Sequence, residues 1–289
     1  MISILGAGKM GEALLSGLLR AGRPASSVTA VEQREARAAE LRDTYGISVV
    51  SAAEATKDAG TVVVAVKPQD VPGVLAEISS LVRPDQLVIS IAAGITTAFI
   101  EQRLPAEVPV VRVMPNTPAL VGEAMSVISA GSFAGESHLA LAEELFRSVG
   151  KTARVPEAYQ DAATALSGSG PAYVYYLVES MVEAGILLGV PRNIALELVI
   201  QTVYGAATML RDSGEHPVIL REAVTSPGGT TIAAIRELEN HGVRAAFFAA
   251  IEAARDRGRE LGSLSRAQGR GGADDGFAAG LVGRGPDAL

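Results

Sequence analysis

The sequence predicts an α/β domain with a mainly parallel, doubly wound sheet, followed by an all-α domain. In the first half, short runs rich in Val and Ile alternate with amphipathic stretches, a pattern typical of buried strands between helices. After about Pro156 the strand-like runs cease, and apolar residues recur at helical spacing. The length of 289 residues also exceeds that of one average domain.

We divide the chain into an α/β domain of residues 1–155, a helical domain of residues 156–264 and a tail of residues 265–289. The tail is rich in glycine and has no usable hydrophobic period, so we expect it to be flexible. The strands predicted in the first domain are Ile2–Leu5, Val28–Val31, Ile47–Val50, Thr61–Val66, Leu87–Ala92, Val108–Val113 and Met125–Ser129.

The helical domain is predicted to form a subunit interface. Two of its segments, Ala172–Val190 and Ile194–Leu210, are apolar on more than one face, and such helices must be buried on several sides. A domain of roughly a hundred residues can hide only so many such helices, so we expect them to pack against another subunit. The helices predicted in the two domains include Ala13–Leu19, Glu35–Tyr45, Val71–Val82, Pro171–Leu188, Arg192–Asp212 and Arg244–Leu261.

The composition argues against several classes of function. The net charge of −7 and the scattered arginines make nucleic acid an unexpected partner. The absence of cysteine and the wide separation of the three histidines argue against a disulfide scaffold, a thiolate nucleophile and a metal site. The chain starts in a strand-like run, and no apolar run is expected to reach the length of a membrane span. We therefore expect a cytoplasmic protein that does not bind a membrane.

A glycine-rich loop follows the first predicted strand and opens the first predicted helix. Its sequence, Gly-Ala-Gly-Lys-Met-Gly, matches the G-x-G-x-x-G pattern in the strand-loop-helix context that gives this pattern meaning. The helix N-terminus offers free N–H groups and a partial positive charge to a pyrophosphate. The first domain is therefore predicted to be Rossmann-like and to bind a dinucleotide. The predicted cofactor contacts of this loop are Gly6, Gly8, Lys9, Met10 and Gly11.

The end of the second predicted strand should distinguish NADH from NADPH. Glu32 lies 21 residues after Gly11, where a carboxylate accepts hydrogen bonds from the adenosine ribose and repels a 2′-phosphate. Arg34 can instead pair with that phosphate or stack on the adenine. These two residues leave both cofactors open.

Further strand-end loops are predicted to lie in the same crevice, because ligands of open α/β sheets bind beyond the carboxyl ends of the strands. Lys67 and Pro68 follow one strand, and Ala93-Gly94 follows the next. Asn116 stands between two prolines that hold its amide rigidly. We expect Lys67, Pro68 and Asn116 to contact the cofactor.

Two clusters of small residues in the helical half each precede a predicted helix. They span residues 166–171 (Leu-Ser-Gly-Ser-Gly-Pro) and residues 224–231 (Val-Thr-Ser-Pro-Gly-Gly-Thr-Thr). Each places backbone N–H groups and hydroxyls at a helix N-terminus, which suits an anion such as a small carboxylate. Such a ligand gains about 0.3–1 kcal/mol from the helix dipole, in addition to charge-assisted hydrogen bonds.

Taken together, these motifs resemble those of pyrroline-5-carboxylate reductases, and they occur in the same order. The resemblance runs from Ile2 to about Leu261, and the Ser-Pro-Gly-Gly-x-Thr segment is its most specific part. The motifs are Gly6–Gly11, Ala65-Val66-Lys67-Pro68, Met114-Pro115-Asn116-Thr117-Pro118, Ser167-Gly168-Ser169-Gly170-Pro171 and Ser226-Pro227-Gly228-Gly229-Thr230-Thr231.

The resemblance implies a reductase that converts 1-pyrroline-5-carboxylate to L-proline. In such enzymes a threonine matching Thr231 faces the ring nitrogen, and NADPH is the usual cofactor, from which Glu32 is a departure. The family forms homodimers with interlocked helical domains, often assembled into decamers of five dimers. The implied substrate-binding residues are Ser226, Gly228, Gly229, Thr230 and Thr231, of which Thr231 is the implied catalytic residue.

Two other functions fit the same pattern of domains. One is a β-hydroxyacid dehydrogenase-like enzyme or another imine or keto-acid reductase. The β-hydroxyacid dehydrogenase-like enzymes resemble this architecture but use a lysine of the second domain as acid or base. The last lysine of this chain is Lys151, at the domain boundary, which weighs against that reading. A non-catalytic dinucleotide-sensing module is the alternative from another class.

Overall fold

The computed structural model describes residues 1–268, and the first part of this range forms an eight-stranded sheet covered by helices on both faces. The strand order is β3-β2-β1-β4-β5-β6-β7-β8, and all neighbours are parallel except β6 and β7. The predicted α/β class with a mainly parallel sheet is confirmed. The strands are β1 (Ile2–Leu5), β2 (Val28–Val31), β3 (Ser48–Val49), β4 (Thr61–Val64), β5 (Leu87–Ser90), β6 (Val110–Met114), β7 (Ala124–Ala130) and β8 (Gly150–Arg154).

The helices of this part cover the sheet because alternate strand residues point to opposite faces. Ile4 packs in the hydrophobic cluster that contains Leu14 and Phe146, whereas its neighbour Leu5 packs in the cluster that contains Leu75. Burial of each such side chain stabilises the fold by about 1.5–3 kcal/mol. The helices are α1 (Lys9–Arg20), α2 (Glu35–Tyr45), α3 (Ala52–Asp58), α4 (Val71–Ile78), α5 (Thr97–Glu101) and α6 (Glu136–Arg147).

Several predicted strands are shorter in the structure, and two of these differences fall beside the crevice. The predicted strands Thr61–Val66 and Leu87–Ala92 end at Val64 and Ser90. The next residue of each still donates one hydrogen bond to the neighbouring strand, Ala65 to Leu5 (2.8 Å) and Ile91 to Val64 (3.1 Å). The chain then leaves the sheet to form a loop.

The second part of the described chain is helical, as predicted. Its longest helices extend close to the predicted bounds, and α12 runs past the predicted start of the tail at residue 265. Residues 269–289 of the predicted flexible tail lie outside the described residues. The helices are α7 (Gln160–Ala163), which continues as a π-helical turn over Thr164–Gly168, then α8 (Gly170–Leu187), α9 (Arg192–Ser213), α10 (Pro217–Ala223), α11 (Thr230–Asn240) and α12 (Val243–Gln268).

Helices α8 and α9 pack together but leave much apolar surface exposed. Val182, Ala195 and Val199 form the small cluster between them. Other side chains of these helices face outward, among them Tyr176 at 73% and Leu198 at 58% exposure. An apolar surface of this extent on one chain marks an interaction surface.

Among the described residues, one helix, α9, is long and apolar enough to span a membrane, with a mean hydropathy of 1.2. Our expectation that no apolar run has this length is therefore wrong, because Glu197 is the only charged residue from Asn193 to Leu210. One helix of this kind is weak evidence for a membrane protein, since interface and core helices have the same composition. Only 11% of its apolar stretch is buried within one chain.

Candidate active site

The glycine loop after β1 combines tight packing with one open position. A Cβ on Gly6, whose φ is 98°, would lie 2.7 Å from a methyl group of Val66, and a Cβ on Gly11 would collide with the carbonyl oxygen of Gly6. A Cβ on Gly8 would meet nothing within 4 Å. Gly6 and Gly11 are thus required by the protein itself, whereas the space above Gly8 is free for a ligand.

The first helix presents an anion site directly beside this space. Gly8 is the N-cap of α1, and no side chain caps the N–H groups that follow it. Lys9 and Met10 begin the helix, and the only acid in its first turn is Glu12. Glu12 accepts hydrogen bonds from Arg37 and from the hydroxyl of Tyr45, so its charge is compensated. Free N–H groups and the helix dipole favour a phosphate here.

Glu32 and Arg34 form an ion pair at the end of β2. The backbone N–H and the Nε of Arg34 each donate to Oε1 of Glu32 at 3.0 Å, and Nη2 donates to Oε2 at 3.3 Å. The Glu32 side chain is only 9% exposed, whereas that of Arg34 is 72% exposed. These hydrogen bonds lower the pKa of Glu32 below its ordinary value of 4.5. The carboxylate therefore remains charged, and its partner can move.

The loops after β4, β5 and β6 lie side by side because these strands are neighbours in the sheet. Lys67 is exposed and precedes a short 3₁₀-helix that begins at Pro68. The sheet order puts this loop beside the glycine loop, since β4 pairs with β1. Both residues therefore lie at the predicted edge of the sheet.

Asn116 joins the sheet to the helical half through its side-chain amide. Its Nδ2 donates to the carbonyl oxygen of Ser167 at 2.9 Å, and its Oδ1 accepts from the backbone N–H of Met125 at 2.9 Å. The predicted rigid amide is thus engaged in protein contacts at both ends. These bonds bring the small-residue cluster of residues 166–171 to the crevice, where a groove of about 510 Å³ is lined by Asn116, Ser167, Pro171, Tyr173 and Phe247, among others.

The second small-residue cluster forms the uncapped start of α11. Gly228 has a φ of 69°, and the N–H of Gly229, the N-cap of α11, donates to the carbonyl oxygen of Ser226 at 3.1 Å. Thr231 is half-buried, whereas Ser226 and Thr230 are exposed. No residue of α11 is fully buried within the chain, and the helix packs against α12. This cluster is therefore open to a partner on its outer side.

Within residues 1–268, no group of His, Asp and Glu side chains is arranged to hold a metal ion. One polar cluster that sequence reasoning missed lies beside the loop after β5. It contains Thr97, Arg112 and Glu157, and the separation of 60 residues between Thr97 and Glu157 hides it from motif analysis.

Comparison with known proteins supports the same architecture. Residues 157–261 match a family model described as pyrroline-5-carboxylate reductase dimerisation, and residues 1–94 match one described as NADP oxidoreductase, coenzyme F420-dependent. A pyrroline-5-carboxylate reductase from Mycobacterium tuberculosis is 44% identical over 283 residues, covering 90% of this chain and 96% of that protein. The chain belongs to the pyrroline-5-carboxylate reductase family.

Solved structures of the pyrroline-5-carboxylate reductase family have the same fold. The enzyme from Coxiella burnetii matches with a TM-score of 0.86 at 34% identity, covering 90% of this chain and 97% of that one. The enzyme from Plasmodium falciparum, solved with NADP bound, matches with a TM-score of 0.81 at 30% identity and the same coverage. The chain is thus a member of a family of pyridine-nucleotide oxidoreductases.

The match to the dimerisation model accounts for the apolar surfaces of α8 and α9. Both helices lie inside the matched range of residues 157–261. Membership of the pyrroline-5-carboxylate reductase family therefore gives the helical half a role in forming a homo-oligomer.

Proposed function

We propose that this chain reduces 1-pyrroline-5-carboxylate to L-proline with NAD(P)H, the final step of proline biosynthesis. The main support for the proposal is that this member of the pyrroline-5-carboxylate reductase family has two separate sites that suit an anion. The open space above Gly8 at the uncapped start of α1 suits a pyrophosphate, and the uncapped start of α11 suits a small carboxylate. The β-hydroxyacid dehydrogenase-like reading and the non-catalytic module lack such support.

The cofactor residues proposed from the sequence fit a dinucleotide. Gly8 leaves room for the pyrophosphate, the N–H groups of residues 9–11 point along the helix axis towards it, and Lys67 offers a positive charge near the same edge. When bound, the reduced dinucleotide supplies a hydride from C4 of its nicotinamide. The protein must then orient the imine and exclude water.

The proposed substrate-binding residues orient the imine by holding its carboxylate and its ring nitrogen. The backbone N–H groups of Thr230 and Thr231 hold the carboxylate, together with the N–H of Gly229, which is shared with the carbonyl oxygen of Ser226. The Thr231 hydroxyl contacts the ring nitrogen. C5 of the imine accepts the hydride while the nitrogen carries a proton as the iminium, so the product is a secondary amine. No strong acid is required of the protein if the substrate binds already protonated.

We propose that both dinucleotides bind and that Glu32 favours NADH. Its charged carboxylate is suited to accept hydrogen bonds from a ribose hydroxyl and to repel a 2′-phosphate. The NADPH use implied by family resemblance requires Arg34 to leave Glu32 and pair with the phosphate, which its exposed side chain allows.

The proposed assembly is a homodimer through α8 and α9, with a decamer of five dimers as the larger form. The exposed start of α11 supports a site that is completed between two copies of the chain. The cytoplasmic location remains the prediction made from the sequence.

The proposed role of Thr231 is tested by Thr231→Ala. We expect kcat/KM for the imine to fall at least about tenfold, equivalent to about 1.4 kcal/mol of transition-state binding, while dinucleotide affinity is unchanged. Thr231→Ser retains the hydroxyl and is expected to keep most of the activity. The measurement is the imine-dependent loss of NADH or NADPH absorbance. Full activity of Thr231→Ala would remove the threonine from the mechanism, and a wild-type protein that consumes neither cofactor would refute the proposed function.

A further inference from the structure

The turn between β5 and α5, residues 91–96, lies at the edge of the sheet where the carboxyl ends of β1, β4 and β5 meet and where the cofactor is proposed to bind. The glycine loop follows β1, and Glu32 follows β2 on one side of it, whereas β4 and β5 lie on the other side. A dinucleotide with its pyrophosphate at the glycine loop and its adenosine ribose at Glu32 therefore extends its nicotinamide half towards the loops after β4 and β5. This inference rests on the proposed function only in taking the ligand to be a dinucleotide.

The middle of the turn, residues 92–94, has small side chains, and the turn is closely packed. Ala92 and Ile95 are buried, Gly94 is half-buried with a φ of 74°, and Ala93 is exposed. Small side chains allow a ligand to approach the backbone closely. Its position therefore depends on what holds its two ends.

One end of the turn is continuous with β5, and the other is bound by a carboxylate from the helical half. Oε1 of Glu157 accepts from the backbone N–H of Thr97 at 2.7 Å, and Oε2 accepts from the Thr97 hydroxyl at 2.5 Å. Thr97 is the first residue of α5, so this N–H has no partner within the helix. Charge-assisted hydrogen bonds of this kind are about twice as strong as neutral ones.

Arg112, on the sheet, forms an ion pair with the Glu157 carboxylate. It lies on β6, its side chain is only 4% exposed, and its Nη1 lies 3.5 Å from Oε1 of Glu157. Its Nη2 lies 3.7 Å from Oδ1 of Asp161, in the following helix. A buried arginine requires this compensation, so the segment of Glu157 and Asp161 is held against the sheet.

Helix α12 provides a second contact with the same turn. A Cβ on Gly262 would lie 2.9 Å from the carbonyl oxygen of Gly94, whereas one on Gly258, a helical turn earlier, would lie 4.0 Å from Asp161. The helix therefore approaches the turn so closely at Gly262 that a methyl group would displace one of the two. The helical half thus contacts the turn at its middle and at its end.

We propose that Glu157 is a positioning residue for the cofactor: through Thr97 it holds the turn of residues 91–96 where the nicotinamide half binds. Glu157 itself touches no reacting atom. It makes the affinity for the dinucleotide depend on the packing of the helical half against the sheet.

The test compares Glu157→Gln with Glu101→Gln. Glu101 holds Ser132 by the same pair of bonds, from the backbone N–H (2.5 Å) and the hydroxyl (3.0 Å). Ser132 follows β7, which runs antiparallel to β6, so this pair lies at the opposite edge of the sheet. We expect Glu157→Gln to raise the Kd for NADH or NADPH at least about fivefold and Glu101→Gln to change it less than about twofold, with both measured well below the melting temperature of each variant.

Equilibrium binding, followed by quenching of dinucleotide fluorescence, needs no turnover, so the result stands even if the proposed imine is not the substrate. A Kd for Glu157→Gln within about twofold of wild type, or an equal rise in both variants, would overturn the proposal. If Glu157→Gln does not fold, Gly262→Ala and Gly258→Ala replace the pair, since both add one methyl group to the same helix. Only Gly262→Ala is then expected to raise the Kd, and equal values for these two variants would also overturn it.

Discussion

Glu32 presents a charged carboxylate at the end of β2 with both of its oxygens bonded to Arg34. The Glu32 carboxylate can accept a hydrogen bond from a ribose hydroxyl. The Arg34 guanidinium can pair with a phosphate only after it leaves Glu32. At the proposed cofactor site, we therefore expect the choice between NADH and NADPH to depend on the free energy of separating these two adjacent side chains. Because Arg34 is largely exposed, solvent competes for its hydrogen bonds and this free energy is small.

Removing the charge of Glu32 should shift the preference towards NADPH. For Glu32→Gln we expect the ratio of kcat/KM with NADPH to that with NADH to rise at least about tenfold, because repulsion of the 2′-phosphate is lost and Arg34 is released. The ratio is measured from initial rates with each cofactor. Glu35→Gln is the control, since Glu35 pairs with Arg42 on an exposed face of α2. An unchanged ratio in Glu32→Gln would show that the acid does not face the ribose.

At this scale the sequence predicts positions better than partners. The places of Glu32 and Arg34 followed from the length of the first β-α-β unit, but their mutual bonds did not, because they depend on the turn after β2. Asn116 was predicted to be rigid, yet the partners that hold it, Met125 and Ser167, are set by the tertiary fold. Local periodicity carries no information on such distant pairs.

The glycine loop and α1 act as one element in which each glycine has a different role. Gly11 allows the helix to approach the strand, whereas Gly8 borders open space. The backbone of Gly8, with φ −68° and ψ −175°, is one that any residue adopts. We therefore expect a side chain at Gly11 to affect folding and a side chain at Gly8 to affect cofactor binding.

We expect Gly8→Ala to fold with a melting temperature close to wild type but to weaken dinucleotide binding at least about tenfold, since its methyl group enters the pyrophosphate space. Gly11→Ala is expected to destabilise the fold by about 1–3 kcal/mol, because its methyl group overlaps the Gly6 carbonyl oxygen. Thermal unfolding and dinucleotide titration of both variants measure the two effects. Equal loss of stability in the two variants would contradict this division.

Strand β8 shows where prediction from periodicity ends. Its sequence, Gly-Lys-Thr-Ala-Arg, contains two cations and no long apolar side chain, and it pairs with β7 alone at the edge of the sheet. Edge strands need no continuous apolar run, so this strand was missed, whereas the fully buried β1, β4 and β5 were found. Short α5 was missed because five residues are too few to show a period.

In the whole molecule, the sheet is covered by helices on both faces, whereas α8 and α9 leave much of their apolar surface exposed. The buried hydrophobic clusters lie mainly in the sheet part, whereas α8 and α9 share only a small one. Their sequence predicted an interface because both helices are apolar around most of their circumference. The stability of this half is therefore tied to association with another chain.

A charge placed on α9 should dissociate the oligomer. For Leu198→Glu, at a side chain that is 58% exposed in one chain, we expect a shift to monomer in analytical ultracentrifugation and loss of most activity. Phe133→Glu is the control, since Phe133 is 49% exposed on the sheet half, beyond the end of β7. Retention of the wild-type mass by Leu198→Glu would place the interface elsewhere.

Asn116 and Glu157 fasten two neighbouring loops of the sheet to the helical half before any ligand arrives. The conformational entropy of these loops is therefore lost during folding, and a ligand need not offset it again on binding. Heat that loosens the helices also loosens the loops, so affinity and thermal resistance decline together. Conversely, we expect a nucleotide at the proposed site to raise the melting temperature of both halves at once, because it would add its own bonds to an edge that they share.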